Sequence, residues 1–312
     1  MKTDSTIHLA IAFDENYVTL CYVLLTSIFE NNKSVKVVIH TIATGVNETD
    51  RAEIKEFVNK NGNEIYYYDI DSNNLQGLIF SRNSHLTPAA YYRLFFPAIV
   101  PAEVKKLLYM DVDIVVVGSL VDLYNTDMGS YAVGAAIDSN TKKRPDLGIY
   151  EPKSYFNSGV LLMNTDEWRK QKVTENAFEF MAKHPEKIKM EDQDALNGSL
   201  VNKWYKLDPK YNVTLFDIPE NLKRSEYNSF IADKVIIHYT KGKHKPWMIL
   251  NKNRLRFLYH LYLKKSPAKY KKKYVDFKLK PVILYRFLKI RAGEALIPYP
   301  KIYKIAKKVK LV

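Results

Sequence analysis

"LLYMDVDIVVVGSLVDLY", residues 107–124, is the stretch that decides the fold prediction. Apolar, β-prone residues stand on both sides of two aspartates, Asp111 and Asp113, and this pattern predicts a buried strand. Burying one unpaired carboxylate costs several kcal/mol. Two carboxylates in one apolar run therefore predict a counter-charge, and a divalent cation is the obvious candidate.

The spacing of the two aspartates supports a metal site. Side chains alternate along a strand, so Asp111 and Asp113 are predicted to point to the same side. If they lie near the carboxyl end of the strand, both face the crevice where open α/β sheets bind ligands. Two carboxylates there can hold a metal that bridges a diphosphate. A solvated turn is the alternative for an isolated DxD, and the flanking apolar runs favour the metal.

The rest of the chain alternates apolar strand-like runs with amphipathic helical runs, which predicts a mostly parallel sheet covered by helices. Strands are predicted at 7–13, 35–43, 63–70, 130–138, 155–164 and 234–240, and helices at 16–32, 47–62, 87–101, 166–185 and after 191. Asn47 is a predicted helix cap, and Gly62 follows that helix. The first turn, "AFDENY", lacks GxGxxG, which disfavours a dinucleotide site.

Length and composition limit the class of protein. A chain of 312 residues with 46% hydrophobic content can bury a large α/β core. The single cysteine, Cys21, excludes an intramolecular disulfide and a cysteine zinc cluster, and its apolar surroundings predict a core residue. The amino terminus shows no secretion signal, and no apolar run approaches the ~20 residues of a membrane-spanning helix. We therefore expect a cytoplasmic protein.

The positive charge is concentrated at the C-terminus. Residues 264–312 hold sixteen basic and two acidic residues, which accounts for the whole formal charge of +14, so residues 1–263 are neutral. This division predicts a catalytic domain at 1–263 and a basic, aromatic tail at 264–312. A nucleic-acid-binding protein is a rival class, but it would need basic residues on the body as well.

The end of the tail has the pattern of an amphipathic helix. From Pro300 onward, Ile302, Ile305, Ala306 and Val309 share one helical face, and lysines occupy the rest. Such a helix suits the interface of an anionic membrane, and it predicts a peripheral enzyme on the cytoplasmic face. A solvated basic helix packed on the body is the alternative.

The segment "VIIHYTKGKHKPW" offers a third metal ligand. His238 ends an apolar strand, where crevice ligands belong, although a lone histidine is more often a core residue. An imidazole beside two carboxylates favours Mn²⁺ over Mg²⁺, which prefers oxygen ligands. The clustered Lys241, Lys243 and Lys245 would suit the far side of a diphosphate.

Two further polar motifs stand at element ends. "MEDQD" places Glu191, Asp192, Gln193 and Asp194 at a predicted helix start, where acidic residues also serve as capping groups that complement the helix dipole. "YFNSGVLLMN" places Asn157 and Ser158 before an apolar strand, at a mouth where a sugar hydroxyl can bind.

Together these motifs resemble the retaining glycosyltransferases of family 8, the group with bacterial lipooligosaccharide galactosyl- and glucosyltransferases and eukaryotic glycogenin. The resemblance covers roughly residues 7–250. It rests on seven motifs in the family's order: "AFDENY", "HLTPAAYYRL", "LYMDVDIVV", "AAID", "YFNSGVLLMN", "EDQDALN" and "HYTKGKHKPW".

The resemblance implies a GT-A fold, a Rossmann-like sheet flanked by helices. It also implies transfer of a hexose from UDP-galactose or UDP-glucose with retention, and Mn²⁺ as cofactor with Mg²⁺ as a weaker substitute. The acceptor class implied by tail and family together is a lipid-linked envelope saccharide such as a lipopolysaccharide core. A protein acceptor is the alternative. A nucleotidyl or pyrophosphate-handling Mn²⁺ enzyme would not need the "EDQD" and "YFNSG" segments.

The family's functional residues carry over by position. Asp111, Asp113 and His238 resemble the metal ligands. The positions that resemble donor-binding residues are Asp14, Asn16, Tyr17, His85, Arg93, Asp111, Val112, Asp138, Asn157 and Gly242. Asp192, Gln193 and Lys245 resemble the catalytic residues, with Lys245 at the β-phosphate of the leaving UDP.

One departure concerns the loop after His238. The family's glycine stands three residues after this histidine, whereas Gly242 stands four after it and Lys245 seven after it. Lys243 or Lys241 is therefore an alternative to Lys245.

The chemical step has two open interpretations. Retention through double displacement needs a nucleophile, and Gln193 is a poor one, which leaves Asp192 or Asp194. In the front-face alternative, Gln193 stabilises a short-lived oxocarbenium ion while the acceptor hydroxyl attacks from the side that UDP leaves.

Overall fold

A computed structural model describes residues 6–70, 88–141, 143–240, 242–267, 273–309 and 311. Nine strands lie in these ranges: β1 Ile7–Asp14, β2 Val37–Thr44, β3 Glu64–Tyr67, β4 Lys106–Met110, β5 Ile114–Val116, β6 Val133–Ile137, β7 Phe156–Asn164, β8 Tyr205–Lys206 and β9 Ile236–His238. Their α-helices are α1 Val18–Asn31, α2 Glu48–Lys60, α3 Phe96–Ile99, α4 Val121–Tyr124, α5 Thr165–Lys170, α6 Val173–Lys183, α7 Glu191–Ser199, α8 Tyr227–Ile231, α9 Arg256–Lys265, α10 Pro281–Leu296 and α11 Pro300–Lys308.

Seven of the strands form one sheet in the order β3-β2-β1-β4-β7-β6-β8. The pairs β1/β2, β2/β3, β1/β4 and β6/β8 are parallel, whereas β7 runs antiparallel to both of its neighbours. The remaining two strands, β5 and β9, form a separate antiparallel ribbon. The predicted α/β class with a mostly parallel sheet is confirmed. The reversed β7 places its amino end at the edge where β1, β4 and β6 have their carboxyl ends.

Side-chain alternation divides the apolar residues between two cores. In β4, Leu108 and Met110 belong to one core, and Leu107 and Tyr109 belong to the other on the opposite face. The first core contains α1, in which every residue from Leu20 to Phe29 is buried. The second core contains the apolar sides of α5, α6 and α7. The sheet is therefore covered on both faces, as a mostly parallel sheet requires.

Helix α1 is held in place by partners from distant parts of the sequence. The Ser27 hydroxyl accepts a hydrogen bond from the Val116 N–H at 2.9 Å, which ties α1 to β5. The Asn31 amide donates to the Tyr262 hydroxyl of α9 at 2.9 Å. Helix α9 therefore covers α1, and it belongs structurally to the body of the protein.

The predicted ends of α2 agree with the structure. The Asn47 side chain caps this helix by accepting a hydrogen bond from the Asp50 N–H at 2.9 Å. Gly62, just past its end, has a φ of +75°, a conformation that favours glycine.

Two predicted helices are wrong in detail. The segment 87–101 forms a 3₁₀ helix, Pro88–Leu94, followed by the single turn of α3, because Pro97 interrupts a continuous hydrogen-bond ladder. The segment 166–185 divides into α5 and α6 at Lys172, whose φ of +53° breaks the helical path. Neither change moves the strand ends that position the polar residues.

The C-terminal helices contact the body. Arg291 of α10 donates to the Asn251 carbonyl at 3.2 Å, and Glu294 accepts from Arg256 at 2.8 and 2.9 Å. Ile302 and Ile305 of α11 and Val309 directly after it are exposed, whereas Ala306 is buried. The predicted division at 263/264 falls within α9 and stays a prediction. Among the described residues, no helix combines the length and the apolarity that crossing a membrane requires.

We expect Trp168→Ala to destabilise the fold by about 3–5 kcal/mol, since a large core side chain leaves a cavity. Trp168 is 1% exposed, and its indole N–H donates to the Thr174 hydroxyl at 2.9 Å. Urea unfolding measures the loss. Tyr150→Ala, at a residue 65% exposed, is the control and should change stability by less than about 0.5 kcal/mol. Equal effects of the two substitutions would contradict this assignment of the core.

Candidate active site

The two aspartates of the opening stretch lie between strands and not inside one. Strand β4 ends at Met110 and β5 begins at Ile114, so Asp111 and Asp113 stand in the connection. The chain leaves the main sheet here and enters the ribbon with β9. The prediction of a continuous strand is therefore wrong, but the predicted position at the carboxyl edge of the sheet is confirmed.

The structure brings the three predicted metal ligands together. His238 ends β9 opposite Ile114, and one ligand atom each of Asp111, Asp113 and His238 lies within 4.8 Å of the others. His238 is buried, and the two aspartate side chains are 25% and 13% exposed. The arrangement is a partly buried pocket with two carboxylates and one imidazole.

Basic side chains neutralise both carboxylates. Arg93 approaches Asp111 at 3.0 Å, and the Lys245 ammonium forms an ion pair with Asp113. Burial opposes ionisation of Asp113, yet the Lys245 ammonium holds the pKa of its carboxyl below the usual range. Lys245 therefore reaches the site despite the additional residue in its loop.

A chain of buried amides fixes the orientation of His238. The Gly159 N–H donates to Asn157 Oδ1 at 3.0 Å, so that atom is an oxygen, and it accepts a second hydrogen bond from Asn212 Nδ2 at 2.9 Å. Asn212 Oδ1 then faces His238 Nδ1 at 2.9 Å. Because an amide oxygen only accepts, Nδ1 carries a proton, and in the neutral imidazole Nε2 is then the atom with the lone pair.

The donor set fits a cation. The His238 Nε2 lone pair lies 3.1 Å from Asp113 Oδ1, a buried oxygen with no hydrogen-bond donor among the described residues. Two electron-rich atoms therefore face each other, and a cation between them would satisfy both. One imidazole with two carboxylates suits Mn²⁺, and the Asn212 contact is the kind of outer-shell hydrogen bond that orients a histidine ligand.

Gly159 leaves the room that this pocket needs. A Cβ atom at position 159 would lie 2.2 Å from His238 Cε1 and 2.7 Å from Asp111 Oδ2. Any side chain would therefore collide with two of the three candidate ligands.

Arg93 connects the pocket to the start of α7. Its Nε lies 3.0 Å from Asp192 Oδ2, and its Nη1 donates to the Ser158 carbonyl at 2.6 Å. The guanidinium also lies over the Tyr109 ring, 4.8 Å from its centroid. Burial raises the pKa of Asp192 to about 6, although Arg93 opposes the shift.

Gln193 lies at the far end of the amide chain. Its Oε1 accepts from Asn157 Nδ2 and from the Ser158 N–H, both at 3.1 Å. Its Nε2 donates to Asp138 Oδ2 and to the Tyr155 hydroxyl, also at 3.1 Å. Gln193 thus joins Asn157 to Asp138, and every polar atom of its side chain has a partner.

Asp194 has a structural role. It is fully buried, and it accepts from the Lys189 and Met190 N–H groups at 2.7 Å each and from the Tyr155 hydroxyl at 2.6 Å. Arg144 forms an ion pair with it. These donors occupy the Asp194 carboxylate, which argues against the alternative that it acts as the covalent nucleophile.

The remaining predicted residues lie around this centre. Asp14, at the carboxyl end of β1, accepts from the Asn16 N–H at 2.8 Å, and Tyr17 is 41% exposed. The Val112 side chain is buried in the first core, so only its backbone is left for a donor contact. Gly242 begins a short 3₁₀ turn with open space around it. His85, Lys241 and the Lys243 side chain lie outside the described residues.

Comparison with known proteins decides the family. Residues 8–250 match the model described as Glycosyl transferase family 8. The chain belongs to this family. It is 30% identical to General stress protein A of Bacillus subtilis, over 84% of this chain and 95% of that one. It is 34% identical to a lipopolysaccharide 1,2-glucosyltransferase of Escherichia coli, over 78% of this chain and 73% of that one.

A solved structure shows the same fold. The galactosyltransferase LgtC, in complex with donor and acceptor sugar analogues, matches with a TM-score of 0.71 at 22% identity. The match covers 84% of this chain and 97% of LgtC. The family 8 enzyme therefore has the predicted GT-A fold.

Sequence reasoning missed three residues of this glycosyltransferase: Tyr109, Gly159 and Asn212. Tyr109 donates from its hydroxyl to Asp111 Oδ1 at 2.8 Å. Gly159 had a signal, since a glycine inside a strand often marks a close approach of another group. Asn212 had none, because it stands 26 residues before its partner His238 in an irregular segment.

We expect Gly159→Ala to destabilise this glycosyltransferase by about 1–3 kcal/mol, because the added methyl group overlaps His238 and Asp111. Urea unfolding measures the change. Gly242→Ala is the matched control for stability, since nothing lies within 4 Å of a Cβ at that position. Comparable unfolding midpoints for the two variants would show that the pocket accommodates a side chain at 159.

The raised pKa of Asp192 predicts a pH-dependent effect of Asp192→Asn. The folded protein retains a proton at a pKa of about 6, above the ordinary 3.8, so this contribution to stability is complete below pH 3.8 and is lost as pH rises through 6. The asparagine stays neutral throughout. Between pH 4 and pH 8 the variant should therefore gain up to roughly 3 kcal/mol relative to the wild type.

Urea unfolding of both proteins at the two pH values measures this gain. Asp122→Asn, at an exposed aspartate, is the control and should show no comparable change. A difference between Asp192→Asn and the wild type that stays constant with pH would contradict the assignment.

Proposed function

We propose that this enzyme transfers a hexose from UDP-galactose or UDP-glucose to a saccharide acceptor, with retention and with Mn²⁺ as cofactor. The observation that carries the proposal is the convergence of Asp111, Asp113 and His238 with Lys245 at the carboxyl edge of the sheet. The relatives of this chain include lipopolysaccharide glucosyl- and galactosyltransferases, which supports a hexose donor.

Asp111, Asp113 and His238 would hold the cation, which would neutralise the donor diphosphate and stabilise the charge that develops on the leaving UDP. His238 supports Mn²⁺ over Mg²⁺, since Mg²⁺ prefers oxygen ligands. Lys245 stands beside Asp113 and supplies a second positive charge for the leaving group. Arg93 orients the Asp111 carboxylate through one ion pair, and a second ion pair with Asp192 holds the guanidinium in place.

The side-chain partners favour front-face substitution over double displacement. Asp194 is enclosed by its donors, Gln193 is a neutral amide, and Asp192 is paired with Arg93. A strong free nucleophile is therefore absent among these three described residues. In the proposed step the bond from the anomeric carbon to UDP breaks, and the acceptor oxygen bonds to that carbon from the same face. The acceptor proton passes to the departing phosphate oxygen, and Gln193 orients polar groups around the sugar.

The uracil and ribose are assigned to Asp14, Asn16 and Tyr17 at the end of β1. This position supports the assignment because β1 neighbours β4, whose end carries Asp111. Asp138 and Asn157 are assigned to the donor sugar, together with Gln193 to which both are hydrogen-bonded.

The proposed acceptor is a lipid-linked saccharide at the cytoplasmic face of the membrane. The exposed apolar side chains of Ile302 and Ile305 on α11 and of Val309 directly after it support this assignment. Lys301 and Lys304 lie exposed on the same helix. A helix with apolar and basic residues of this kind suits the surface of an anionic membrane.

We expect UDP with Mn²⁺ to raise the melting temperature of the wild type, and EDTA to abolish the effect. A ligand at about 100 times its dissociation constant adds ~2.7 kcal/mol. Repeating the melts with UDP-galactose and UDP-glucose identifies the preferred donor. Asp113→Asn should lose the Mn²⁺-dependent shift and nearly all transfer activity, because it removes an anionic ligand.

Asp122→Asn is the control for this experiment, since it removes an exposed carboxylate of α4. It should keep both the shift and the activity. A normal shift in Asp113→Asn would overturn the metal assignment, and no shift with any nucleotide in the wild type would overturn the proposed donor class.

A further inference from the structure

A second cavity lies between the body and the C-terminal helices. Its volume is about 440 Å³, and its lining includes none of the active-site residues described above. The charged residues that line it are Lys252, Arg254, Arg286, Lys289 and Glu294. Four of these five are basic, and no role in sugar transfer accounts for them.

The cavity is the place where two basic surfaces meet. The segment 252–256 of the body contributes Lys252, Arg254 and Arg256, and α10 contributes Arg286, Lys289 and Arg291. Like charges brought together repel each other, so packing α10 on this segment costs electrostatic energy. A bound anion would offset that cost.

The single acidic group of the cavity lining is already neutralised. Glu294 accepts from Arg256 at 2.8 and 2.9 Å and from Arg291 at 2.8 and 3.0 Å. Arg254 donates to backbone carbonyls of the segment 218–222 and not to a carboxylate. Within the described ranges, Lys252 and Arg286 take part in no ion pair. Positive charge in the cavity therefore exceeds negative charge.

Basic residues of the same two surfaces lower the pKa of a nearby histidine. Burial, together with the positive charges of Lys273, Arg256 and Arg291, lowers the pKa of His260 to about 4. His260 is on α9, beside the segment that supplies the basic residues of the body.

The rest of the cavity wall is apolar. Leu250, Ile290, Gly293, Ile297 and Tyr303 complete the lining. A volume of this size is in the usual range of small-molecule sites, and it exceeds the needs of one inorganic phosphate. Arginine and lysine together suit the oxygens of a phosphate ester, and the apolar wall suits the carbon atoms attached to it.

We propose that this cavity binds the phosphate headgroup of an anionic lipid. Lys252 and Arg286 contact the phosphate from opposite walls, and the apolar residues receive the glycerol end of the acyl chains. The exposed apolar side chains of α11 lie on the helix that also contributes Tyr303 to the cavity. This inference deepens the proposed membrane association, and its test also works without a membrane.

The test uses the full-length enzyme and a soluble short-chain lipid. Isothermal titration calorimetry with dihexanoyl phosphatidylglycerol, below its critical micelle concentration, should show saturable binding to the wild type. Lys252→Gln with Arg286→Gln should weaken binding about 30-fold, which corresponds to about 2 kcal/mol. Both residues are exposed, so the double variant should fold normally.

Lys301→Gln with Lys304→Gln is the matched control, because it removes two exposed charges of α11 outside the cavity lining. It should keep the wild-type affinity for the short-chain lipid. Equal weakening in both double variants would show that net charge alone drives binding, and it would overturn the cavity as a site. The absence of saturable binding to the wild type would overturn it too.

Inorganic phosphate and dihexanoyl phosphatidylcholine distinguish the source of the phosphate. Weak or no binding of both supports an anionic lipid headgroup. Inorganic phosphate that binds as tightly as the lipid overturns the lipid assignment in favour of a free phosphate. Flotation with vesicles that contain phosphatidylglycerol tests membrane association separately: a wild type that binds the soluble lipid but not the vesicles refutes the membrane proposal alone.

Discussion

Neutralisation of two carboxylates at one sheet edge is the constraint on which the site depends. Asp111 and Asp113 follow a strand that is buried on both faces, so they need positive partners close by. Arg93 and Lys245 provide them from two separate segments, and His238 comes from a third segment as the candidate imidazole ligand. Each of these segments must therefore reach the same edge of the sheet. The ribbon of β5 and β9 follows this edge and places His238 opposite Ile114.

The reversed strand β7 meets a requirement that parallel strands alone would not meet. Its amino end supplies Asn157, Ser158 and Gly159 to the edge where β4 supplies Asp111. The Gly159 N–H anchors a series of hydrogen bonds that runs through Asn157 to Asn212 and His238, and the Ser158 N–H anchors Gln193. Fixed backbone donors thus determine how the amide side chains face the candidate metal and sugar positions.

The parts of the site that could be predicted from the sequence are those marked by a local pattern of residues. Asp111 and Asp113 interrupt an apolar run, and His238 ends another, so their shared edge followed from strand direction. The additional residue before Lys245 left its position open, and the structure shows that a short 3₁₀ turn places it beside Asp113. Asn212 was unpredictable because its role depends on a contact between distant segments. The break between α5 and α6 was likewise not predictable, because it depends on the backbone conformation of Lys172 and not on a hydrophobic periodicity.

The covering of α1 by α9 has a consequence for synthesis of the chain. The hydrogen bond from Asn31 to Tyr262 joins residues 231 positions apart, and Glu30 also pairs with Lys265. At 5–20 residues per second, a ribosome needs roughly 10–50 s to make the second helix after the first. During that interval a helix with ten consecutive residues that are buried in the folded protein lacks its final cover. A truncation at residue 250 would make that exposure permanent.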